Sequence, residues 1–573
     1  PADMDGPYVV DQTGALFRAR LDARPLVRVE EANPARVVVR AESWCVRDPR
    51  AGARGDSAAG ARLTKCLLRY YAYAGEPWIE LHWTFIVTAD TEVTAFRDIG
   101  LRMTGGGRGV IGLTEGQAQE ATPEAYLLQK KPRLYKVYER KAPSWAQVPG
   151  MKPPPPQWTE SSRGRWAPGW AANRTFTLTM RDFAALFPKE LYARTDRGWS
   201  GLLRSEIVLR AWPAHGEFNE DWFAEPATAP GPETPLDRIV GANGVALNAL
   251  YFQNSQAWHH GPMLDFGLPD WWRNENIVGG PMTPSWLDAF AGGKGRAWEA
   301  EALCGRAALP GPVKFHAAGT SRTQELLLDF SGDRPEETRG PAAARRQLFA
   351  DPPHIWLERP AWLAESRALP PADTAALERA EAAAQRARTL SADSERAGLW
   401  TWGSRPEFWA VNGAAGLSRM YGGEGLGPEG IGEWPLYMRT GDPDHLRAAR
   451  AASAQWRDVH LVHYSTPAFQ ELPLESRKVP GAATAPSTYP WRGGAGGISR
   501  GEMLLWDYLL RGDRRSFEAL ELHADFLMRD TTPTPAGARV AAVRTLQAWY
   551  EFSWDPLAAA RLKELQETSP RGR

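Results

Sequence analysis

Alternation of β-branched and aromatic residues with polar ones runs through the first 370 residues and restricts the architecture more than any other property of the chain. ARVVVRAESW, WIELHWTFIVT, AFRDIGLRM, RTFTLTMRDF and LLRSEIVLRAW all have a side-chain period of two, the periodicity of strands. Turn clusters such as DPRAGARGDSAAGA, TGGGRG and PAHGEFN separate these runs, and VKFHAA and RTQELLLDF add shorter strand signals. Strands broken by turns in this way predict antiparallel β structure, a sandwich or two β domains. One stretch departs from the pattern. Between Lys141 and Trp170, KAPSWAQVPGMKPPPPQW and RGRWAPGW are too proline-rich for a central strand and read as a long surface loop carrying tryptophans.

The texture changes after Pro371. DTAALERAEAAAQRARTL has helical spacing, and little beyond it resembles a strand. A weak repeat follows: Tyr437-Met-Arg-Thr-Gly441-Asp442-Pro443, then Tyr508-Leu-Leu-Arg-Gly512-Asp513, then more loosely Tyr550-Glu-Phe-Ser-Trp554-Asp555-Pro556. The chemistry is that of a joint between two helices. Gly takes the left-handed residue that ends one helix, Asp caps the next, and Pro occupies its first turn. Repeated helical hairpins predict an α/α toroid or solenoid. A closed ring of six hairpins needs roughly 250–300 residues at about 45 per two-helix repeat, so the 371–573 stretch predicts an incomplete ring.

Composition narrows the function classes. The chain has 573 residues, with 68 basic side chains against 68 acidic ones. That balance argues against a general nucleic-acid binder, which would carry a basic excess. No apolar run is long enough to cross a membrane as a helix. Tryptophan is the anomaly: 26 copies, against 15 Tyr and 19 Phe, are more than core packing ordinarily uses. The three cysteines, Cys45, Cys66 and Cys304, exclude a disulfide scaffold and a four-cysteine zinc site. Cys45 and Cys66 flank a hairpin centred near Arg54 and are expected as two buried free thiols rather than a disulfide. The chain opens PADMDGPYVV, without an initiator Met, which reads as a removed leader or a fragment.

Several formal motifs carry no weight. Gly107-Arg-Gly109-Val-Ile-Gly112 matches a dinucleotide fingerprint, but no helix pattern follows it, so it reads as a turn. Three clusters carry more. The first is Trp258-His259-His260-Gly261-Pro262, followed by Arg273. Adjacent histidines in a Gly/Pro-bounded loop cannot both face a core, and His259, His260 and Arg273 are candidates for substrate binding, with ordinary loop structure as the alternative. The second is Trp456-Arg-Asp458-Val-His460-Leu-Val-His463-Tyr464, placed on the helix that starts near Pro443. There His460, His463 and Tyr464 would share a face at i, i+3 and i+4. Such a set supplies a general base and acid, or simply places histidines at the negative end of a helix. The third gathers Trp402, Arg405, Asn412, Glu433 and Trp434 with Trp491 and Arg492. Indole faces stack on the C–H faces of sugar rings and Arg forks bind carboxylates, so this set is expected to floor a carbohydrate cleft. No third ligand stands near the histidine pair, and no metal or other cofactor is expected, although a calcium ion stays open.

The runs YYAYAGEPWIELHWTFIV, LTMRDFAALFPKEL, IVLRAWPAHGEFNEDW, GTSRTQELLLDF and YMRTGDPDHLRAARAASAQWRDVHLVHYS resemble, in that order along the chain, the exo-rhamnogalacturonan lyase family with its YetA-like bacterial members. The resemblance extends from about residue 10 to 530. It implies a multidomain β + α protein: residues 1–35 as the remnant of an N-terminal β barrel, 36–370 as a central β-sandwich region, and 371–573 as the partial α/α toroid. It also implies β-elimination on an acidic, rhamnogalacturonan-like polysaccharide. That reaction needs the uronate carboxylate neutralised, a base for the C5 proton and an acid for the departing O4. Clustering assigns His460, His463 and Tyr464 as base and acid, and Arg492 or Arg405 with Asn412 to the carboxylate. The rivals are an inverting glycoside hydrolase, whose two carboxylates would stand about 6.5–9.5 Å apart, and a glycan-binding protein without catalysis. A secreted or periplasmic location is expected over a cytoplasmic one, with no nucleic acid as partner.

Overall fold

The computed structural model describes residues 6–11, 14–50, 60–89, 94, 96–113, 117–131, 134–141, 159–160, 169–183, 185–186, 189–197, 201–212, 258–260, 263–265, 318–332, 340–351, 362, 365, 373–393, 402, 405–411, 414–421, 432–472, 477–483, 501–529 and 536–567. Strands come first: β1 (Gly6–Asp11), β2 (Leu16–Arg18), β3 (Leu26–Ala32), β4 (Arg36–Arg47), β5 (Arg62–Tyr73), β6 (Trp78–Val87) and β7 (Phe96–Gly106). Next are β8 (Val110–Leu113), β9 (Gln117–Glu120), β10 (Pro123–Lys131), β11 (Leu134–Lys141), β12 (Thr159–Glu160), β13 (Gly169–Ala172) and β14 (Thr177–Met180). They are followed by β15 (Lys189–Arg197), β16 (Leu203–Trp212), β17 (Trp258–His260), β18 (Met263–Asp265) and β19 (Ser321–Asp329).

All of these join one antiparallel network that doubles back into two layers. The first layer runs β9-β8-β13-β14-β19-β6-β5-β4-β3. The second runs β2-β1-β7-β16-β15-β10-β11-β12. The end of β4 crosses from one to the other, because Phe17 and Arg18 of β2 pair with Arg47 and Val46. Residues 6–32 are therefore built into the sandwich through β1, β2 and β3. β1 lies directly on β7. Between the layers sits the apolar alternate of each strand. Leu81, Trp83 and Phe85 of β6 and Leu326 and Leu328 of β19 pack with Ile99, Leu101, Met103, Leu191, Ile207 and Leu209 of the other layer. Each such side chain contributes about 1.5–3 kcal/mol by leaving water. Gly107, at φ 83, turns the chain between β7 and β8, as a turn reading of that glycine run requires.

The helical part has α1 (Pro341–Ala350), α2 (Thr374–Asp393), α3 (Glu433–Thr440), α4 (Pro443–Gln455), a π turn over Trp456–His460, α5 (Pro467–Gln470), α6 (Gly501–Arg511), α7 (Arg514–Arg529), α8 (Ala536–Ser553) and α9 (Pro556–Glu567). The repeat does make joints. Gly441 (φ 71) and Gly512 (φ 70) are left-handed and their amides return to the carbonyls of Tyr437 and Tyr508. Asp442 and Asp513 then accept from the amides of Asp444 and Ser516. The hairpins α3/α4, α6/α7 and α8/α9 share a core of Trp434, Leu446, Trp456, Leu504, Leu520, Leu546 and Leu562. A two-stranded ribbon, Arg405–Val411 paired with Ala414–Tyr421, also stands in this region, where little in the sequence resembles a strand.

Candidate functional site

The first layer has one apolar face, turned to the second layer, and one polar face. Hydrophobic alternation alone would leave the polar face in water. Instead α4, the π turn, α6 and α7 lie against it, and their ion pairs make the seam. Strand register sets its rows. Arg40, Arg69, His82 and Glu325 are successive cross-strand neighbours on β4, β5, β6 and β19, and Val38, Tyr71, Glu80 and Leu327 form the next row.

From the helical side, Glu518 reaches Arg40 at 2.6 Å and also pairs with Arg69, which is 1% exposed and bonds Glu30 at 2.7 Å. Arg514 meets Glu31 at 2.6 Å, and Glu31 also holds Arg36 at 2.7 Å. The π turn delivers Asp458, whose carboxylate accepts from the Thr323 amide and hydroxyl, both at 3.0 Å. Burial would raise that carboxyl, but Arg457, Arg515 and Arg322 outweigh it and hold it down to about 2. Arg457 continues to Asp513 at 2.6 Å, tying the α6/α7 joint to the same point.

In the middle of this seam lies a pair that its surroundings leave unspent. The Tyr71 and His82 rings are 4.8 Å apart at 53°. The Tyr71 hydroxyl and His82 Nε2 are buried and make no hydrogen bond among the described residues. His82 Nε2 is 3.8 Å from Glu80 Oε2. Burial raises the Tyr71 phenol well above its ordinary range, so it stays protonated and keeps a proton to donate. Around the pair stand Glu325, paired with Arg181, and Arg511, 3.9 Å from Glu325. Burial works to raise Glu325, yet Arg181, His82, Arg511 and Arg450 together hold it well below the usual range. Glu80 is lowered too: burial opposes this, and His82 and Arg181 prevail. The Glu80, His82 and Arg511 side chains are 22%, 12% and 19% exposed, whereas the Tyr71 hydroxyl and His82 Nε2 themselves are covered.

The residues singled out from sequence fare unevenly. α4 ends at Gln455, the π turn closes at His460, and Leu461 is extended. His460, His463 and Tyr464 therefore do not share a helical face, which corrects that expectation. The pattern misleads because Trp456–His460 continues the helical spacing while Asp458 is pulled onto β19. His460 is buried. His463 donates from Nε2 to the Arg457 carbonyl at 2.5 Å, and burial pushes it down to about 3, so it remains neutral and committed. The Tyr464 ring meets Trp44 edge-on at 5.4 Å.

Glu433 and Trp434 are 3% and 2% exposed. Glu433 Oε2 lies 2.6 Å from His445 Nδ1, and Trp434 donates to the Ser453 hydroxyl at 2.9 Å. Both belong to the helical core, which corrects their placement on an open sugar floor. The Trp402 ring lies under the Arg322 guanidinium at 5.4 Å and packs against the sandwich. Arg405 begins the ribbon strand, and His259 and His260 lie in β17, hairpin-paired to β18. Arg273, Asn412, Trp491 and Arg492 lie outside the described residues.

Tyr71, His82, Arg181, Glu325 and Arg511 went unnoticed in the sequence. A signal existed: in YYAYAGEPWIELHW, a hairpin turning near Gly75 puts Tyr71, Tyr73, Trp78, Glu80 and His82 on one face. Cys45 and Cys66 are buried free thiols, as expected, with their sulfurs 3.5 Å apart. No group of metal-ligating side chains occurs among the described residues. No family model matches the chain, and no curated protein matches it either.

Proposed function

We propose that the protein is a polysaccharide lyase that cleaves an acidic, uronate-containing polymer of the rhamnogalacturonan kind by β-elimination, with its reaction centre at the Tyr71–His82 pair. The observation that carries this reading is the pairing of a neutral phenol with an imidazole, ring centroids 4.8 Å apart, whose hydroxyl and Nε2 make no hydrogen bond among the described residues, beside the guanidinium groups of Arg181 and Arg511. In the reaction, the uronate carboxylate lies against Arg181 and Arg511, which stabilise the negative charge that develops on it. His82 takes the C5 proton. The electron pair of that C–H bond becomes the C4=C5 double bond, the C4–O4 bond breaks, and Tyr71 gives its proton to O4. The three helical hairpins are read as part of an α/α toroid. A location outside the cytoplasm belongs to the same reading.

The inverting hydrolase fits less well. It requires one carboxyl that stays protonated as general acid, whereas Glu80 and Glu325 beside the pair both lie below the ordinary carboxyl range. The test is incubation with rhamnogalacturonan and other uronate polymers while following the ultraviolet band of a 4,5-unsaturated uronate. A rise supports the lyase. New reducing ends without that band would replace it with the hydrolase, and retention of polymer without products with a binding protein.

A further inference from the structure

Beyond the reacting pair, the same sheet face continues toward solvent as an aromatic strip. Tyr73 follows Tyr71 two residues along β5, and Trp78 precedes Glu80 by two on β6. Their rings are 4.7 Å apart at 40°. Both are half-buried at the open end of the seam. Their polar ends are already tied: Trp78 Nε1 donates to Glu76 at 2.8 Å, and the Tyr73 hydroxyl is hydrogen-bonded to Arg36, itself clamped by Glu31. Arg36 also lies 5.8 Å over the Tyr71 ring, linking the strip to the reacting pair. With the Trp78 donor spent and the Tyr73 hydroxyl held by Arg36, what these two residues chiefly offer a ligand is ring face. A sugar's C–H face is the matching surface, and rigid aromatics bind it at little entropic cost. Two strand residues span about 6.6–6.8 Å, roughly one sugar residue along a chain.

We propose that Trp78 and Tyr73 form a stacking subsite for a third sugar residue, one place beyond the two joined by the scissile bond at Tyr71 and His82, so that the site grips an acidic saccharide chain of more than two residues. This rests on the reading of the site as a uronate-polymer lyase and adds to it a chain-length preference. The experiment measures binding of tetragalacturonate, digalacturonate and rhamnogalacturonan oligosaccharides to the full chain and to Trp78→Ala, Trp78→Phe and Tyr73→Ala, by calorimetry. Circular dichroism establishes that each variant is folded. The expected result is a tetramer that binds more tightly than the dimer, an advantage reduced about tenfold in Trp78→Ala and retained in Trp78→Phe.

Equal affinities in the parent and Trp78→Ala, or no binding of any of the saccharides, overturns the subsite. A purely structural cross-strand pair would lower stability in Trp78→Ala without moving the tetramer-to-dimer ratio, and that result also overturns it. Tight tetramer binding that Trp78→Ala loses, with no unsaturated product from any polymer, keeps the subsite and removes the lyase. Unsaturated product with unaltered Trp78→Ala binding does the reverse.

Discussion

The Tyr71 hydroxyl and His82 Nε2 make no hydrogen bond among the described residues, with Glu80 standing 3.8 Å from the latter. Arg69, Arg457, Asp458 and Glu518 each meet a partner, and their geometry is spent on cohesion. His82→Gln and Tyr71→Phe should therefore each lower the rate of unsaturated-product formation by about 10²–10⁴-fold, with unfolding midpoints close to the parent's. Full activity in either variant would remove that residue from the chemistry. Lys478 presents a different case. It is 1% exposed, and burial alone pushes its amine down to about 7. In the unfolded chain the amine binds its proton below its ordinary value of 10.5, so folding strength falls as pH drops from there to about 7 and levels off below. Lys478→Met should raise the urea midpoint at pH 7 and flatten that slope, as urea titrations at pH 7 and 9 would show. The reacting pair escaped detection in the sequence because Tyr71 and His82 become neighbours only through the β5–β6 register. Polar alternates on strands look the same whether water or another element covers them.

The helix–helix joints were readable from local residues because their physics is local. Gly441-Asp442-Pro443 contains a left-handed stop, a cap and a first-turn proline, and each performs that task. The third joint shows where the pattern is strained. Trp554 sits at φ 57, the position that Gly fills in the other two, with its amide bonded to the Tyr550 carbonyl and 75% of its surface exposed. A left-handed residue with a side chain costs about 1–2 kcal/mol. Trp554→Gly should thus stabilise the protein by about 1 kcal/mol, the remainder being offset by the lost contact with Tyr550, 5.8 Å away. Thermal unfolding of the two proteins checks this, and a lower midpoint in the variant would refute it. The π turn was unreadable for the opposite reason. Nothing in Trp456–His460 breaks a helix; the turn is imposed from outside by the bonds between Asp458 and Thr323, far away in sequence.

Among the described residues, ion pairs join the sheet to the helices. Glu518 ties several cations of that seam at once, since it faces Arg40, Arg69 and Arg515. Glu518→Ala leaves three guanidinium groups short of a partner in a poorly hydrated place and should cost about 3 kcal/mol in urea unfolding; a change below about 0.5 kcal/mol would class the contact with ordinary surface pairs. The sandwich was legible as a class from its alternation, but its topology was not, because β19 is read as one more short strand while its place is central. It lies between β6 and β14, more than two hundred residues beyond the former. During synthesis, then, β6 and β14 leave the ribosome each with a bare hydrogen-bonding edge, and both stay bare until residue 329 has emerged. Long-range closure of this kind is slow, and open edges recruit other chains. A chain stopped before Ser321 should accumulate as aggregate in a light-scattering assay, whereas one ending after Asp329 should scatter less. Nascent copies of this protein thus depend on whatever shields two strand edges while the missing strand is being made.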